Sequence, residues 1–362
     1  MAFKAIKVYL PEFFHPFLPE IFSREIPSEI FTNCLECPMI CGSRNELGLD
    51  ESRPFAPDTK CCTYFPHLPN FLVGAVFFDT DVSLDAGHNK LRDHIKSSKG
   101  VFPHGIYPTK KYSALYELGK TEGFGKSKAL KCPFYLEGMY NCGLWKYREA
   151  VCATWFCKHV GQQSGHLFWS SVTKCLRYIE ESLIAYVLKN ENLPFIHPYG
   201  ENKNISYEDL DDLPLNKDEY NFRWGKWAGK EEDFYIRAYQ YVKDLTPEKI
   251  SSLLGINFQV LLAELEEKYN VMMEIPEQMI ADPAREFSEI KKGYYRILLK
   301  TWIERNDSFI TYAFDIPSVV IDKFDGALTT SEVLITLKEK HDIDLGGDIL
   351  IALYQHGILI KS

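Results

Sequence analysis

No cysteine follows Cys175 in this 362-residue chain, although ten precede or include it. That absence divides the sequence into a cysteine-bearing N-terminal half and a cysteine-free C-terminal half. A basic excess is also missing. The 41 basic residues are outnumbered by 50 acidic ones, a formal net charge of −9, which argues against a general nucleic-acid-binding surface. There is no uncharged apolar window of about 18 residues, the length a membrane span needs. The opening MAFKAIKVYLPEFFHPFLPE lacks the apolar core of a signal peptide, because Pro11, Glu12, His15, Pro16 and Pro19 interrupt it. These readings place the protein in the cytoplasm and off the membrane. Thiols stay reduced there, so a cysteine pattern reads as metal-binding or catalytic before it reads as disulfides. Common nucleotide and hydrolase signatures are absent as well. GFGKS at Gly123 lacks the spacing of a phosphate loop, no Gly-x-Gly-x2-Gly follows a strand, and no Gly-x-Ser-x-Gly elbow occurs. No internal repeat or low-complexity segment is found.

What is present is ordinary globular material, 46% hydrophobic and 25% charged. A chain this long buries a large core and needs no staples. Residues 1–66 read as loop and short extended pieces. NFLVGAVFF from Asn70 reads as a strand or a short buried helix, which periodicity cannot separate. GHLFWSSVTKCLRYIEESLIAYVLKNE carries Phe168, Val172, Leu176, Ile179, Leu183 and Val187 at helical spacing. Residues 195–225 read as a connecting loop. Helices are expected over KEEDFYIRAYQYVKDL, over TPEKISSLLG (Thr246 as N-cap, Pro247 first, Gly255 as stop) and over NFQVLLAELEEKYN. A further helix is expected over 286–304. In the tail, SVVIDKFDG reads as strand and turn, TTSEVLITLKEKH as a helix capped by Thr330 or Ser331, GDILIALYQHG as a helix and ILIKS as a strand. The expected fold is α+β and predominantly helical. A cysteine-organised metal-binding domain spans 1–195, a helical domain 196–310 and a winged-helix-like tail 311–362.

The cysteine spacing sets the functional expectation. Cys34-x2-Cys37-x3-Cys41 is followed by Cys61-Cys62, then by Cys132-x9-Cys142-x9-Cys152-x4-Cys157. Thiolates select zinc, iron–sulfur clusters or copper(I). Three thiols in one loop with a fourth from elsewhere suits an iron–sulfur cluster. Zinc would use two close pairs, such as Cys34–Cys37 and Cys152–Cys157. These nine cysteines are the candidate metal ligands, with a 4Fe–4S cluster favoured and zinc as the alternative. The radical-SAM order Cys-x3-Cys-x2-Cys is reversed here, and the ferredoxin run lacks its fourth cysteine. A catalytic residue cannot be chosen from the sequence.

KCPFYLEGMYNCGLWKYREAVCATWFC, Lys131 to Cys157, resembles the core of the YkgJ-like cysteine-cluster proteins. Cys132-Pro133-Phe134, Cys142-Gly143-Leu144-Trp145 and Arg148-Glu149-Ala150-Val151-Cys152 stand in that family's places. Cys61-Cys62 is similar to its Cys-Cys dipeptide. Glu149 departs from the family's proline, and the early cysteines are spread wider. The resemblance covers roughly residues 30–160 and implies zinc or iron chelation by these thiols. One relative of that type is a flagellin lysine methylase, which implies that a protein-modifying enzyme is also open.

Other residues read more simply. Cys175 lies on an apolar stripe and is expected in the core. His67, His159 and His166 read as hydrogen-bonded surface residues before ligands. Arg148 reads as a structural ion pair before an anchor for an anion. Trp145, Trp155, Phe156 and Trp169 read as a hydrophobic shell, Trp224 and Trp227 as packing, and Glu180–Glu181 as a solvated face. The expectation is therefore a cytoplasmic iron–sulfur protein with a redox, sensing or metal-handling role. The alternatives are a methylase-like protein-modifying enzyme and a structural-zinc interaction protein. The tail is acidic on balance, so its expected partner is a protein or peptide.

Overall fold

The computed structural model describes residues 3–29, 55–119, 122–156, 159, 161–199, 205–303 and 308–362. It is an α+β fold, predominantly helical. Strand β1 (Phe3–Ala5) pairs antiparallel with β2 (Glu25–Pro27). The prolines between them bend the chain into short 3-10 turns, which bury Phe14 and Phe22 completely.

Strand β3 (Leu68–Pro69) runs directly into α1 (Asn70–Phe78). NFLVGAVFF is therefore a helix, buried from Asn70 to Val76. Asn70 fixes its start. Its Nδ2 donates to Pro103 O at 2.8 Å, and its Oδ1 accepts from Phe71 N at 2.7 Å. Helix α2 (Asp85–Ser97) follows. Strands β4 (Val101–Phe102) and β5 (Gly105–Ile106) complete a three-stranded sheet in which β5 lies between β3 and β4. Helix α3 (Lys110–Gly119) and the hairpin of β6 (Tyr135–Leu136) and β7 (Asn141–Cys142) come next. The short helix α4 (Ala150–Thr154) then leads to the spine of the molecule, α5 (Gln162–Glu191).

The periodic stripe of α5 is the stripe it buries. Phe168, Val172, Leu176, Ile179, Leu183 and Val187 are all at most 1% exposed. Cys175 is fully buried among them, as its place on the stripe requires, and its thiol donates to Leu261 O at 3.7 Å. Residues 195–225, expected as loop, carry α6 (Tyr207–Leu210) and α7 (Lys217–Trp224). Both are short and are held by caps from Ser206 and Asn216. Helix α8 (Glu231–Lys243) crosses α1, and α9 (Pro247–Met273) packs along α5. Trp224 is fully buried against Phe234 and Tyr235 of α8, the packing role expected of it.

The α1–α8 crossing is close because Gly74 has no side chain. A Cβ there would stand 1.8 Å from Tyr235 O and 3.0 Å from the Tyr239 Cβ. Gly255, expected to end its helix, has a left-handed φ of 60° and does break the helical geometry. The helix expected over NFQVLLAELEEKYN follows the kink and buries Phe258 and Leu265.

A second core gathers residues from Met279 to Leu359. Strand β8 (Met279–Ala281) is followed by β9 (Glu289–Lys291), β10 (Tyr294–Ile303) and β11 (Ser308–Pro317), the last two forming a ten-residue antiparallel ladder. The helix expected over 286–304 is thus replaced by strands. Gly293 at φ 80° turns the chain, and the β-branched and aromatic residues that follow favour a pleated surface. SVVIDKFDG corrects the other way. Pro317 ends β11, and α10 (Ser318–Asp322) turns Val320 and Ile321 into the second core. Helix α11 (Thr330–His341) is capped by Thr329, one residue before the expected cap, in a reciprocal box with Glu332. Helix α12 (Gly347–Gln355) and strand β12 (Leu359–Lys361), which pairs with β8, end the chain. Among the described residues no helix is long and apolar enough to cross a membrane.

One carboxylate ties the end of α5 to α8. Glu191 is 5% exposed and accepts from Tyr241 OH at 2.7 Å, Trp227 Nε1 at 2.9 Å and Lys226 Nζ at 2.8 Å. Burial alone would raise its pKa, but the bonds from Lys226, Tyr241 and Trp227 outweigh burial and hold it below the ordinary glutamate value. A depressed folded pKa means stability that is complete above the unfolded value and is lost as pH falls through the folded one. Glu191→Gln is expected to lower Tm at neutral pH and to flatten the loss of stability below about pH 4.5. Thermal melts of both proteins from pH 7 to pH 3 check this. Parallel curves would sink it.

Candidate functional site

Three separate stretches of chain converge on one cavity. The first is the run of turns over residues 57–64, which carries Cys61 and Cys62. It is tied down by short bonds. Thr59 Oγ1 donates to Gly125 O at 2.6 Å, Gly125 N donates to Thr63 Oγ1 at 2.6 Å, and Lys60 Nζ donates to Tyr140 O at 2.7 Å. Tyr112 OH accepts from Phe65 N and donates to the Thr63 carbonyl.

The second stretch is 130–147. Cys132 N donates to Cys62 O at 2.7 Å, which places these two cysteines side by side across the chain. The β6–β7 hairpin puts Cys142 opposite Tyr135, and the Cys142 thiol accepts from Leu144 N at 3.4 Å. The hairpin rests on Gly87 of α2, where a Cβ would meet Gly143 O at 2.2 Å. Lys146 and Tyr147 both donate to Asp79 just beyond α1, which anchors the far end of the stretch.

The third stretch is α4. Glu149 is its N-cap and accepts from Val151 N and Cys152 N, both at 2.7 Å. Glu180 of α5 accepts from Ala150 N at 2.8 Å. Two buried carboxyls therefore take the first amides of one turn. The helix is pinned again where Thr154 and Thr173 hydroxyls meet at 2.6 Å.

The cavity between these stretches has a volume of about 90 Å3, room for a few atoms. Cys61, Cys62, Cys132, Cys142 and Cys152 line it, with Tyr64, Phe124, Phe134, Trp145 and Trp155 as its aromatic wall. Arg148 and Glu149 are the charged side chains that reach it. The Arg148 guanidinium lies 3.5 Å over the Trp145 ring and donates to the carbonyls of Trp145 and Cys152. It is a stacked structural cation at the cavity rim.

Four of the thiols, those of Cys62, Cys132, Cys142 and Cys152, are held in the protonated form. Contact with Cys61, reinforced by burial, pushes Cys62 well up. Burial raises Cys132 and Cys142. Cys152 is raised well up by burial and then by the neighbouring Glu149 carboxyl. Glu149 and Glu180 are themselves raised, each chiefly by burial, and Glu149 adds like-charge repulsion at Glu180.

The metal expectation is corrected here. Among the described residues no group of three or more His, Cys, Asp or Glu side chains is arranged to hold a metal ion. Cys61, Cys62, Cys132, Cys142 and Cys152 share a cavity but do not close on a common point. Cluster and zinc sites need deprotonated thiols converging on one centre at bonding distance. These thiols are instead spread over an apolar wall that keeps them neutral. For the cysteines among the described residues the iron–sulfur and zinc readings are overturned on this ground. Cys34, Cys37, Cys41 and Cys157, the other expected ligands, lie outside the described residues.

Other expectations also move. His67 is not a hydrogen-bonded surface residue. Its ring packs 3.5 Å from that of Tyr107, its Nε2 has no hydrogen-bond partner among the described residues, and desolvation pulls its pKa down to about 3. His159 is half-buried, and desolvation likewise draws its pKa down to about 3. Neither lines the thiol cavity. Glu180, read as solvated, is 4% exposed. It lies four residues after Leu176, on the edge of the buried stripe, a placement that helical spacing could have revealed. The signal for Glu149 was an acidic residue directly before a short apolar helix, a good N-cap.

Comparison with protein-family models, with curated proteins and with solved structures finds no match. The YkgJ-like resemblance therefore rests on the residues that carry it.

The Glu149 carboxyl makes a direct prediction. Glu149→Gln keeps an oxygen to cap α4 but removes the charge that disfavours the Cys152 thiolate. Alkylation of Cys152 by iodoacetamide at pH 7 is expected to accelerate by roughly threefold or more. Cys175 should be unaffected. Peptide mapping after timed alkylation reads both rates, and an unchanged Cys152 rate would contradict the electrostatic account.

Proposed function

We propose that this is a thiol redox or sensing protein whose working part is the cysteine-lined cavity. The observation that carries the reading is the convergence of five cysteines, from three separate stretches of chain, on one apolar cavity. A core does not require that, since aliphatic residues pack such a space without reactive groups.

The chemistry is a two-electron oxidation. Two neighbouring thiols lose two protons and two electrons and form one disulfide, while a peroxide accepts them and leaves as water. Cys62 and Cys132, joined by a backbone hydrogen bond, are the pair we assign to that disulfide. Their raised pKa values keep them slow toward reagents in bulk solvent. Selectivity then comes from access, because an oxidant must be small and uncharged to enter. This reading suits a reducing compartment such as the cytoplasm.

The tail supports a second role. A helix pair, a two-stranded sheet and a long hairpin around a separate core favour a winged-helix-like module, to which we assign a protein or peptide partner. The test of the main reading is thiol titration before and after hydrogen peroxide. Loss of two or four thiols that return with dithiothreitol supports it. A thiol count that peroxide leaves unchanged overturns it.

A further inference from the structure

Residues 205–222 form a shelf whose backbone is pinned and whose apolar side chains face outward. Asp209 pairs with Lys110 at 3.1 Å and Asp212 with Lys99 at 3.2 Å, which ties the shelf to α3 and to the end of α2. At the other end Arg223 pairs with Glu219 at 2.8 Å and donates to the carbonyls of Ile196 and His197. These bonds use the inner acidic residues. The outer face is left with Tyr207 at 90% exposure, Leu213 at 74% and Phe222 at 65%.

The spacing groups these residues. Tyr207 and Asp211 are four apart, as are Asp218 and Phe222 of α7, so each acid shares a face with an aromatic residue. Glu208, Asp211 and Asp218 make no ion pair among the described residues. Single exposed apolar residues are common on any surface. Several on one short, anchored segment mark an interaction site.

The charge selects the occupant. We infer that the 205–222 shelf docks a segment of a partner protein in which lysines or arginines alternate with large apolar side chains. Its apolar residues would cover Tyr207, Leu213 and Phe222, and its cations would meet Glu208, Asp211 and Asp218. A second copy of this chain is disfavoured because it would bring like charges together. An anionic membrane surface is disfavoured for the same reason.

The test uses the full chain and a fluorescent synthetic peptide of lysine and leucine with an amphipathic helical pattern. Two variants separate the contributions: Tyr207→Ser with Leu213→Ser and Phe222→Ser, and Glu208→Gln with Asp211→Asn and Asp218→Asn. All six positions are exposed. The expected result is a Kd weakened at least about tenfold in each variant, with salt sensitivity lost in the charge variant. Binding equal to wild type in both variants overturns the proposal. So does a wild-type dimer in sedimentation that both variants convert to monomer, because the shelf would then belong to a second copy.

Discussion

Gly74→Ala is expected to cost more than about 3 kcal/mol of stability, although it adds only one methyl group. Local propensity predicts the opposite sign. Alanine in a helix interior is worth up to about 1 kcal/mol over glycine. The crossing decides the outcome, because the new Cβ would lie 1.8 Å from Tyr235 O, far inside any contact distance. Tyr235 cannot retreat. It is fully buried, and its hydroxyl donates to Phe102 O at 2.8 Å. Helix α8 would have to move as a body, and the α1–α8 interface is one of the main seams of the first core. Denaturant or thermal unfolding measures the cost. A variant within a degree or two of wild type would show that the helices do not cross this closely.

Gly87→Ala is the same chemical change beneath the hairpin that carries Cys142 to the cavity, and its expected signature differs. The Cβ would meet Gly143 O at 2.2 Å. Here the neighbour is a hairpin of two-residue strands, which can yield. The stability loss is expected to be about 1 kcal/mol. The displaced hairpin carries Cys142, whose thiol owes its raised pKa chiefly to burial. Once the hairpin lifts, Cys142 should react with iodoacetamide faster by about tenfold or more. Native-like melting with an unchanged Cys142 rate would mean that the hairpin does not depend on Gly87 for its seat. The contrast between the two glycines separates a packing role from a site-positioning role with one substitution type.

Much of the helical core could be read from the chain. The α5 stripe, the Thr246–Pro247 start of α9 and the α11–α12 pair followed from period, caps and breakers. What failed did so for identifiable reasons. Residues 286–304 hold several good helix formers, but their aromatic and β-branched members pair in a ten-residue ladder that only the partner strand specifies. Helix α7 was hidden because it buries only Arg223 and Trp224, and short helices leave little periodicity to detect.

The site was half legible. Sequence spacing singled out Cys61, Cys62, Cys132, Cys142 and Cys152 as residues that belong together, and the fold does gather them around one cavity. Spacing could not say what surrounds them. The aromatic wall includes Tyr64 and Phe124, for which the sequence offered no such role, beside Trp155, which read as part of a hydrophobic shell. That wall, with the buried Glu149 and Glu180, turns an expected metal centre into a set of neutral thiols. The difference lies in environment, which three separate stretches of chain create jointly.

The measurement that tests the central claim most directly is a disulfide map. The protein is treated with hydrogen peroxide, remaining thiols are blocked, and linked peptides are identified by mass spectrometry. The account predicts links confined to Cys61, Cys62, Cys132, Cys142 and Cys152, reversed by dithiothreitol, with Cys175 unlinked in the core. Peroxide that leaves these five as thiols, or links that involve Cys175 as readily as the cavity cysteines, would contradict it.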